Sequence, residues 1–157
     1  MLFQDRLRQT VSLATRKNHL AALLFLDLDK FKLVNDKHGH HIGDLLLQAV
    51  AARLRACVRE SDTVARLSGD EFTILLPEIE READAIAVAE KAVAALALPF
   101  HLEEVTLTTA TSIGVALSPR DAVECETLMR LADAAMYRAK QEGRGTWRMH
   151  QVDAAQP

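Results

Sequence analysis

The chain has 157 residues, of which 49% are hydrophobic and 26% are charged, the usage of an ordinary globular domain. The 19 Lys and Arg against 22 Asp and Glu give a net charge of −3, so electrostatics favours neither a nucleic acid duplex nor an anionic membrane as a partner. An aromatic fraction of 4% also argues against a surface on which nucleic acid bases stack.

One domain is expected, because a chain of this length buries roughly 70% of its unfolded surface. We place it at residues 1–150, excised from a longer multidomain protein, with residues 151–157 as a disordered tail. Cys57 and Cys125 lie in helical patterns, where a buried or half-buried thiol is expected. Without a signal segment or an apolar run near 18 residues, the expected compartment is the cytoplasm, although a membrane-anchored parent protein is left open.

Hydrophobic spacing predicts the elements of this domain. Leu20–Asp29 is a nearly continuous apolar run that becomes acidic at its carboxyl end, which is typical of a buried central strand. The order β-α-β-β-α-β predicts a ferredoxin-like α+β fold with a leading helix and an extra hairpin. In chain order we expect a helix at Leu2–Ala14, the strand Leu20–Asp29, a turn over Lys30–Asp36 capped by Asp29, a helix at Leu45–Val58, a hairpin of Thr63–Leu67 and Phe72–Leu76, a helix at Arg81–Ala97, a hairpin turning near Glu103 and Glu104, a long strand, a helix at Thr127–Gln141 and a strand at Thr146–Met149.

Three acidic residues occupy the ends of predicted strands. Asp27 lies at the carboxyl end of the central strand, and Asp70 and Glu71 form the tip of the first hairpin. If that hairpin pairs beside the central strand, the three carboxylates converge and repel one another unless protons or a hard cation neutralise them. Oxygen ligands suit Mg²⁺ shared with substrate phosphates, which suggests a metal-assisted phosphate reaction. From spacing alone, solvated acids at strand ends and turns are the alternative.

Three basic residues lie near the ends of the predicted elements. Lys32 follows the central strand, and Lys140 and Arg144 close the last helix. They can bind phosphate groups, but each one taken alone is better explained as a cation stabilised by a helix dipole.

A polar segment lies between the central strand and the next helix. Asn and Asp side chains offer the donors and acceptors that read a purine edge, while turn chemistry with a helix cap at Asp44 explains the same residues equally well. The histidines lack the cysteine or paired spacing of a transition-metal site. The polar residues are Asn35, His38, Gly39, His40, His41, Gly43 and Asp44.

Four ordered motifs now stand out: DLDKFKLVNDKHGHHIGD, RESD, RLSGDEF and AMYRAKQEGRG. Together they resemble the GGDEF domain of diguanylate cyclases, which condense two GTP into cyclic di-GMP. The resemblance runs from about Leu20 to Arg148. It implies the nucleotidyl cyclase fold, similar to a polymerase palm, and a homodimer as the catalytic unit because each domain binds one GTP. It also implies flanking sensory or phosphodiesterase domains in the full-length protein, and no nucleic-acid polymer as partner.

The resemblance assigns a role to each motif residue. Mg²⁺, or Mn²⁺, would be held by Asp27, Asp70 and the backbone carbonyl of Leu28. The catalytic residues would be Asp70, Glu71 and Lys32. The substrate-binding residues would be Asn35 and Asp44 on guanine, His40 lining the same pocket, Lys32, Lys140 and Arg144 on the phosphates, and Ser68 and Gly69 at the signature turn. Arg59 and Asp62 would form the inhibitory site that binds cyclic di-GMP.

The sequence departs from the family signature at Ser68, which replaces the first glycine. If the backbone there has a positive φ, a serine costs about 1 kcal/mol. We therefore expect a cyclase with some loss of activity. The rival hypothesis is a weak or inactive module that senses GTP or cyclic di-GMP, and Ser68 is the feature that favours it. A purely structural dimerisation domain leaves the nucleotide-site residues unexplained.

Overall fold

The computed structural model describes residues 2–151, so most of the expected tail at 151–157 lies outside the described residues. The central strand has the predicted bounds, and the helices at either end of the chain extend two or three residues beyond them. Both cysteines are free, Cys57 buried and Cys125 half-buried. The elements are α1 (Leu2–Lys17), β1 (Leu20–Asp29), α2 (Phe31–His38), α3 (His40–Ala56), β2 (Thr63–Ser68), β3 (Glu71–Ile79), α4 (Glu82–Ala97), β4 (Phe100–Leu102), β5 (Val105–Leu107), β6 (Ala110–Ser118), α5 (Cys125–Gln141) and β7 (Trp147–Met149).

Five strands form the main sheet in the order β2-β3-β1-β6-β7. The β2–β3, β3–β1 and β1–β6 pairs are antiparallel, and β7 extends the sheet parallel to β6. The first four strands thus have the ferredoxin-like order, and β4 and β5 form a separate hairpin. The predicted fold class is confirmed, including the leading helix and the extra hairpin.

The central strand β1 is buried on both of its faces, because alternate side chains point to opposite sides of a sheet. Leu24, Leu26 and Leu28 pack with the apolar faces of α3 and α4. Leu23 and Phe25 pack with α1 and α5 on the other side. Burial on two faces explains the continuous apolar run, and the alternation places Asp27 and Asp29 on the side of α1 and α5.

The segment after β1 corrects two predictions. Lys30–Asp36 was expected to be a turn capped by Asp29, but most of it belongs to the helix α2. This helix follows Lys30, whose φ of 64° is left-handed, and it has no side-chain cap. Helix starts are predicted from capping side chains, so this one gave no signal in the sequence.

The next helix, α3, begins at His40, five residues before the predicted start at Leu45. The residue at the N-cap position is Gly39, with a φ of 89°. Asp44 therefore lies inside the helix and does not cap it. The turn-and-cap alternative for the polar segment is therefore wrong. Among residues 2–151, no helix has the length and apolar character needed to cross a membrane.

Candidate active site

The acidic residues meet at the carboxyl end of β1. The first hairpin does pair beside the central strand, and its register sets Asp27 opposite Glu71. At the hairpin tip, the carbonyl oxygen of Asp70 accepts a hydrogen bond from the Leu28 amide at 3.4 Å. On the other edge of β1, the Thr111 hydroxyl donates to the carbonyl of Asp27 at 3.0 Å. Both neighbouring strands therefore hold the backbone that carries Asp27 and Leu28.

Burial and nearby negative charge raise the pKa values of Asp70 and Glu71. Burial, together with the adjacent Asp27 carboxylate, raises the pKa of Asp70 to about 6. The pKa of Glu71 is also raised, first by burial and then by the negative charges of Asp27 and Asp133. Asp133 lies two helical turns before Lys140 on α5, so the two share a face of that helix. A cation bound here would therefore reduce the repulsion among these carboxylates.

Two features fit this centre to a hard cation. The side-chain oxygen Oδ1 of Asp27 is buried and has no hydrogen-bond partner in the part of the chain that the structure describes. The other oxygen of Asp27 is paired with the ammonium group of Lys140. No three His, Cys, Asp or Glu side chains within residues 2–151 are arranged to hold a metal by themselves. Mg²⁺ commonly takes one or two carboxylates and completes its shell with water and substrate phosphates, and this donor set suits that pattern.

The side chain of Asn35 on α2 lies against Gly43 on α3. A Cβ atom at residue 43 would collide with the side chain of Asn35, so only glycine lets the Asn35 side chain lie there. Asn35 is half-buried, whereas His40 and Asp44 are exposed in the first turns of α3. The polar residues that the sequence singled out thus lie on two helices that pack closely together.

The three basic residues differ in their surroundings. Lys32 lies in the first turn of α2, where a helix dipole disfavours a cation, so the dipole explanation does not apply to it. Lys140 lies in the last turn of α5 and contacts Asp27. Arg144 follows that helix, and its guanidinium lies 3.6 Å from Asp29. Two of the three therefore contact acidic side chains at the end of β1.

Arg59 and Asp62 form one compact turn. The side chain of Asp62, 2% exposed, accepts from the Arg59 amide at 2.9 Å and from its guanidinium at 3.2 and 3.3 Å. The same guanidinium donates to the carbonyl of Glu78 at 2.9 Å, and these contacts with Asp62 raise the pKa of Arg59. The turn holds an exposed arginine in one orientation beside β3.

The signature turn joins β2 to β3. Ser68 is the last residue of β2, opposite Glu71, and it is not among the residues with positive φ. The left-handed residue is Gly69, with a φ of 43°, and its carbonyl accepts from the Arg66 guanidinium at 2.7 Å. The condition under which Ser68 would strain the backbone is therefore not met.

Sequence reasoning missed the roles of two acidic residues near the centre and one contact between distant elements. Asp29 is buried and bonded to Ser112 and to the segment after α5. Asp133 could have been found from its spacing of seven residues to Lys140. The exposed pair of His41 and Glu103, 2.6 Å apart, joins α3 to the β4–β5 hairpin and raises the pKa of His41. Since 62 residues separate these partners in the sequence, no local pattern indicates the pair.

Comparison with known proteins gives one consistent result. A family model described as "Diguanylate cyclase, GGDEF domain" matches residues 1–146. The bifunctional diguanylate cyclase/cyclic di-GMP phosphodiesterase MucR of Pseudomonas aeruginosa is 50% identical over 144 residues, which are 92% of this chain and 21% of MucR. The diguanylate cyclase TpbB of the same species is 40% identical over 152 residues, 96% of this chain and 35% of TpbB. The chain thus spans about a third or less of the length of these relatives.

Solved structures agree with these matches. The crystal structure of the GGDEF domain of TpbB superposes with a TM-score of 0.93 at 40% identity, covering 97% of this chain and 95% of that one. The GGDEF domain of DgcB from Caulobacter crescentus, solved in complex with c-di-GMP, has a TM-score of 0.84 at 27% identity and covers 96% and 86% of the two chains.

Proposed function

Because the chain belongs to the family of diguanylate cyclase GGDEF domains, we propose that it condenses two GTP molecules into cyclic di-GMP. In each of two steps the 3′-hydroxyl of one GTP attacks the α-phosphate of the other, and pyrophosphate leaves. The observation that carries the proposal is the centre at the end of β1, where Asp27, Asp70 and Glu71 lie with Lys140. Charge of both signs at one place is what a phosphoryl transfer site needs.

The proton of the attacking hydroxyl goes to Asp70 in this proposal. In the protein without a cation the pKa of Asp70 is raised to about 6 by burial and by Asp27. A bound divalent cation would favour the ionised carboxylate, which is the form that accepts a proton directly or through the metal. Glu71 supports the same end of β3 and Lys32 helps to neutralise the transferred phosphate. Lys140 and Arg144 bind the remaining phosphates by charge-assisted hydrogen bonds.

Asp27, Asp70 and the backbone carbonyl of Leu28 would hold Mg²⁺ or Mn²⁺, with the orphaned Oδ1 of Asp27 as one ligand. A bound divalent cation supplies activation of the hydroxyl and neutralisation of phosphate charge. Lys140 contacts the other oxygen of Asp27. It therefore keeps part of the negative charge neutral in the protein alone, and it can turn to a phosphate once a cation is present.

Guanine is recognised by Asn35 and Asp44 in this proposal, with His40 beside them. An amide and a carboxylate together supply the acceptors and donors that match a purine edge. Gly43 supports this role because it leaves room for the Asn35 side chain between the helices. Ser68 and Gly69 border the nucleotide at the signature turn in this proposal. Ser68 has no positive φ, so backbone strain at this residue does not argue for the inactive sensor.

Turnover tests the proposal. The protein is incubated with GTP and Mg²⁺ at high protein concentration and nucleotides are resolved by chromatography. Cyclic di-GMP is expected from the unaltered protein and none from Asp70→Ala. Asp36→Ala, at an exposed position on α2, is the matched control and should leave turnover unchanged. No cyclic product, or undiminished turnover by Asp70→Ala, would contradict the proposal.

We propose that Arg59 and Asp62 bind cyclic di-GMP and restrain the enzyme. Support comes from the buried Asp62 carboxylate, which holds the Arg59 guanidinium in an exposed position suited to a phosphate. Arg59→Ala is expected to weaken cyclic di-GMP binding in calorimetry and to relieve product inhibition. Arg130→Ala, at an exposed arginine on α5, is the control. Equal binding by the unaltered protein and Arg59→Ala would count against this site.

A further inference from the structure

Asp29 is a buried acid that the proposed reaction leaves without a role. Its side chain is only 3% exposed, although it lies two residues from Asp27 at the end of the central strand. A buried carboxylate is unfavourable unless hydrogen bonds and an opposite charge compensate it. The groups that compensate the charge of Asp29 therefore indicate its role.

Those partners come from two separate parts of the chain. The Ser112 hydroxyl of β6 donates to both carboxylate oxygens, at 3.2 and 3.4 Å. The Gly145 amide donates to Oδ2 at 3.3 Å, and the Arg144 guanidinium lies 3.6 Å from Oδ1. Asp29 thus ties the end of the sheet to the segment that follows α5.

That segment has a backbone that needs support. Arg144 has a φ of 61° and Gly145 one of 58°, and a left-handed conformation is unfavourable for a residue with a Cβ atom. The Arg144 amide donates to the carbonyl of Ala139 at 3.0 Å, which closes the turn on its helix side. Asp29 closes it on the sheet side. Strained backbone of this kind persists where surrounding contacts hold it.

The Arg144 guanidinium contacts Asp29 on one side and is open to solvent on the other. Its side chain is 53% exposed, so donors remain directed to solvent while one nitrogen faces Asp29. A buried carboxylate next to an arginine can fix the direction in which the guanidinium points, as carboxylates orient the histidines of metal sites. An arginine oriented in advance loses less entropy on binding a phosphate.

We propose that Asp29 is a positioning residue for phosphate binding: it holds the Gly143–Gly145 turn so that Arg144 faces the terminal phosphates of the nucleotide. Asp29 itself does not contact the substrate. The inference rests on the proposed function, because it takes a guanosine triphosphate as the ligand of Arg144. It adds to that function a dependence of triphosphate recognition on a buried acid outside the catalytic centre.

Nucleotide binding by calorimetry tests the inference, with 3′-deoxy-GTP as the triphosphate because it lacks the attacking hydroxyl. Asp29→Asn keeps the shape of the side chain and removes its charge. It is expected to weaken 3′-deoxy-GTP binding about tenfold and to change GMP binding less than twofold. Arg144→Ala should give a similar loss, and the double variant should lose no more than either alone, because both changes remove one interaction. Asp36→Asn, an exposed acid on α2, should bind both nucleotides normally.

Unchanged triphosphate binding by Asp29→Asn, an equal loss for GMP, or additive losses in the double variant would each overturn the inference while leaving the proposed function standing. No binding of 3′-deoxy-GTP by the unaltered protein would overturn both. If Asp29→Asn does not fold, Ser112→Ala removes one donor from the same carboxylate and leaves the charge in place. It should weaken 3′-deoxy-GTP binding about twofold to threefold and spare GMP, and unchanged binding would again overturn the inference.

Discussion

The ionisation of Asp70 links the stability of the protein to pH. Its pKa rises from an ordinary 3.8 to about 6 because of burial and the neighbouring Asp27. As the pH increases past 3.8, the unfolded chain releases this proton while the folded protein still keeps it. Asp70 therefore contributes stability at low pH that is lost as the pH rises through about 6.

Asp70→Asn removes this loss. The melting temperature of the variant minus that of the unaltered protein should be smallest near pH 4 and should grow in favour of the variant up to about pH 7. Thermal unfolding in a chelator, at several pH values, measures the difference. Asp36→Asn, at an exposed acid, should show no such trend. A difference for Asp70→Asn that is constant with pH would contradict the raised pKa.

The signature turn offers a second prediction at the residue scale. Ser68 has no positive φ, whereas Gly69 does. Restoring the family glycine with Ser68→Gly should therefore change stability by less than about 0.5 kcal/mol and turnover by less than about twofold. Gly69→Ala should destabilise the fold by about 1 kcal/mol, because the Cβ atom opposes a left-handed backbone. Denaturant unfolding and turnover of the two variants check this, and a large gain of activity in Ser68→Gly would contradict it.

The sequence was sufficient to predict which acids converge, because Asp27 ends an apolar run and Asp70 and Glu71 form the tip of a hairpin. It did not predict the role of Asp29, which appeared only as a turn cap. The partners of Asp29 lie 83 and 116 residues away in the chain, and local patterns carry no information about such contacts. The sequence also favoured a helix-dipole explanation for Lys32, which its position in the first turn of α2 contradicts.

Among the elements, α2 and α3 are the helices whose starts the sequence pattern did not predict. Both helices lack a side-chain cap at their first residue, and Gly39 and Gly43 in the sequence suggested a loop. Gly43 is instead an interior helix residue that allows close packing with Asn35. The strands of the main sheet were predicted well because burial on one or two faces leaves a clear hydrophobic period.

Arg53 joins three elements through one side chain. Its guanidinium donates to the carbonyls of Ala95, Leu98 and Pro99 at 2.9, 2.7 and 2.5 Å, just at the end of α4. It also stacks 3.5 Å from the centre of the Phe100 ring. Carbonyl groups at a helix end need such donors, so Arg53 both closes α4 and fixes the β4–β5 hairpin against α3.

Arg53→Met keeps an unbranched apolar chain and removes every donor. We expect it to destabilise the protein by about 1–2 kcal/mol in denaturant unfolding. Arg55→Met, two residues later on the exposed side of the same helix, should be close to neutral. Equal stabilities of the two variants would show that the contacts of Arg53 with α4 contribute nothing.

At the scale of the whole molecule, the net charge of −3 favoured neither a nucleic-acid duplex nor a membrane as a partner, and it gave no sign of a nucleotide site. The proposed site depends on charges from distant segments. Lys140 and Arg144 contact acids at the end of β1, and Lys32 lies in the first turn of the helix that follows this strand. A family resemblance carried the assignment, and the fold then explained why these segments meet at the end of β1.

Each chain supplies only half of the proposed reaction centre. In the proposed reaction one copy binds one GTP, so a second copy would have to face it before the hydroxyl of one nucleotide could reach the α-phosphate of the other. Catalysis should therefore depend on the association of two chains, whereas GTP binding should not. A dependence of turnover on protein concentration would distinguish a cyclase from a module that only senses the nucleotide.

The most direct test is the rate of cyclic di-GMP formation per chain, measured with GTP and Mg²⁺ over a wide range of protein concentrations. The account predicts that this rate rises with concentration and levels off once pairs are formed, with two pyrophosphates released for each cyclic product. GTP binding without any cyclic product at the highest concentration, from a protein with an intact fold, would contradict it.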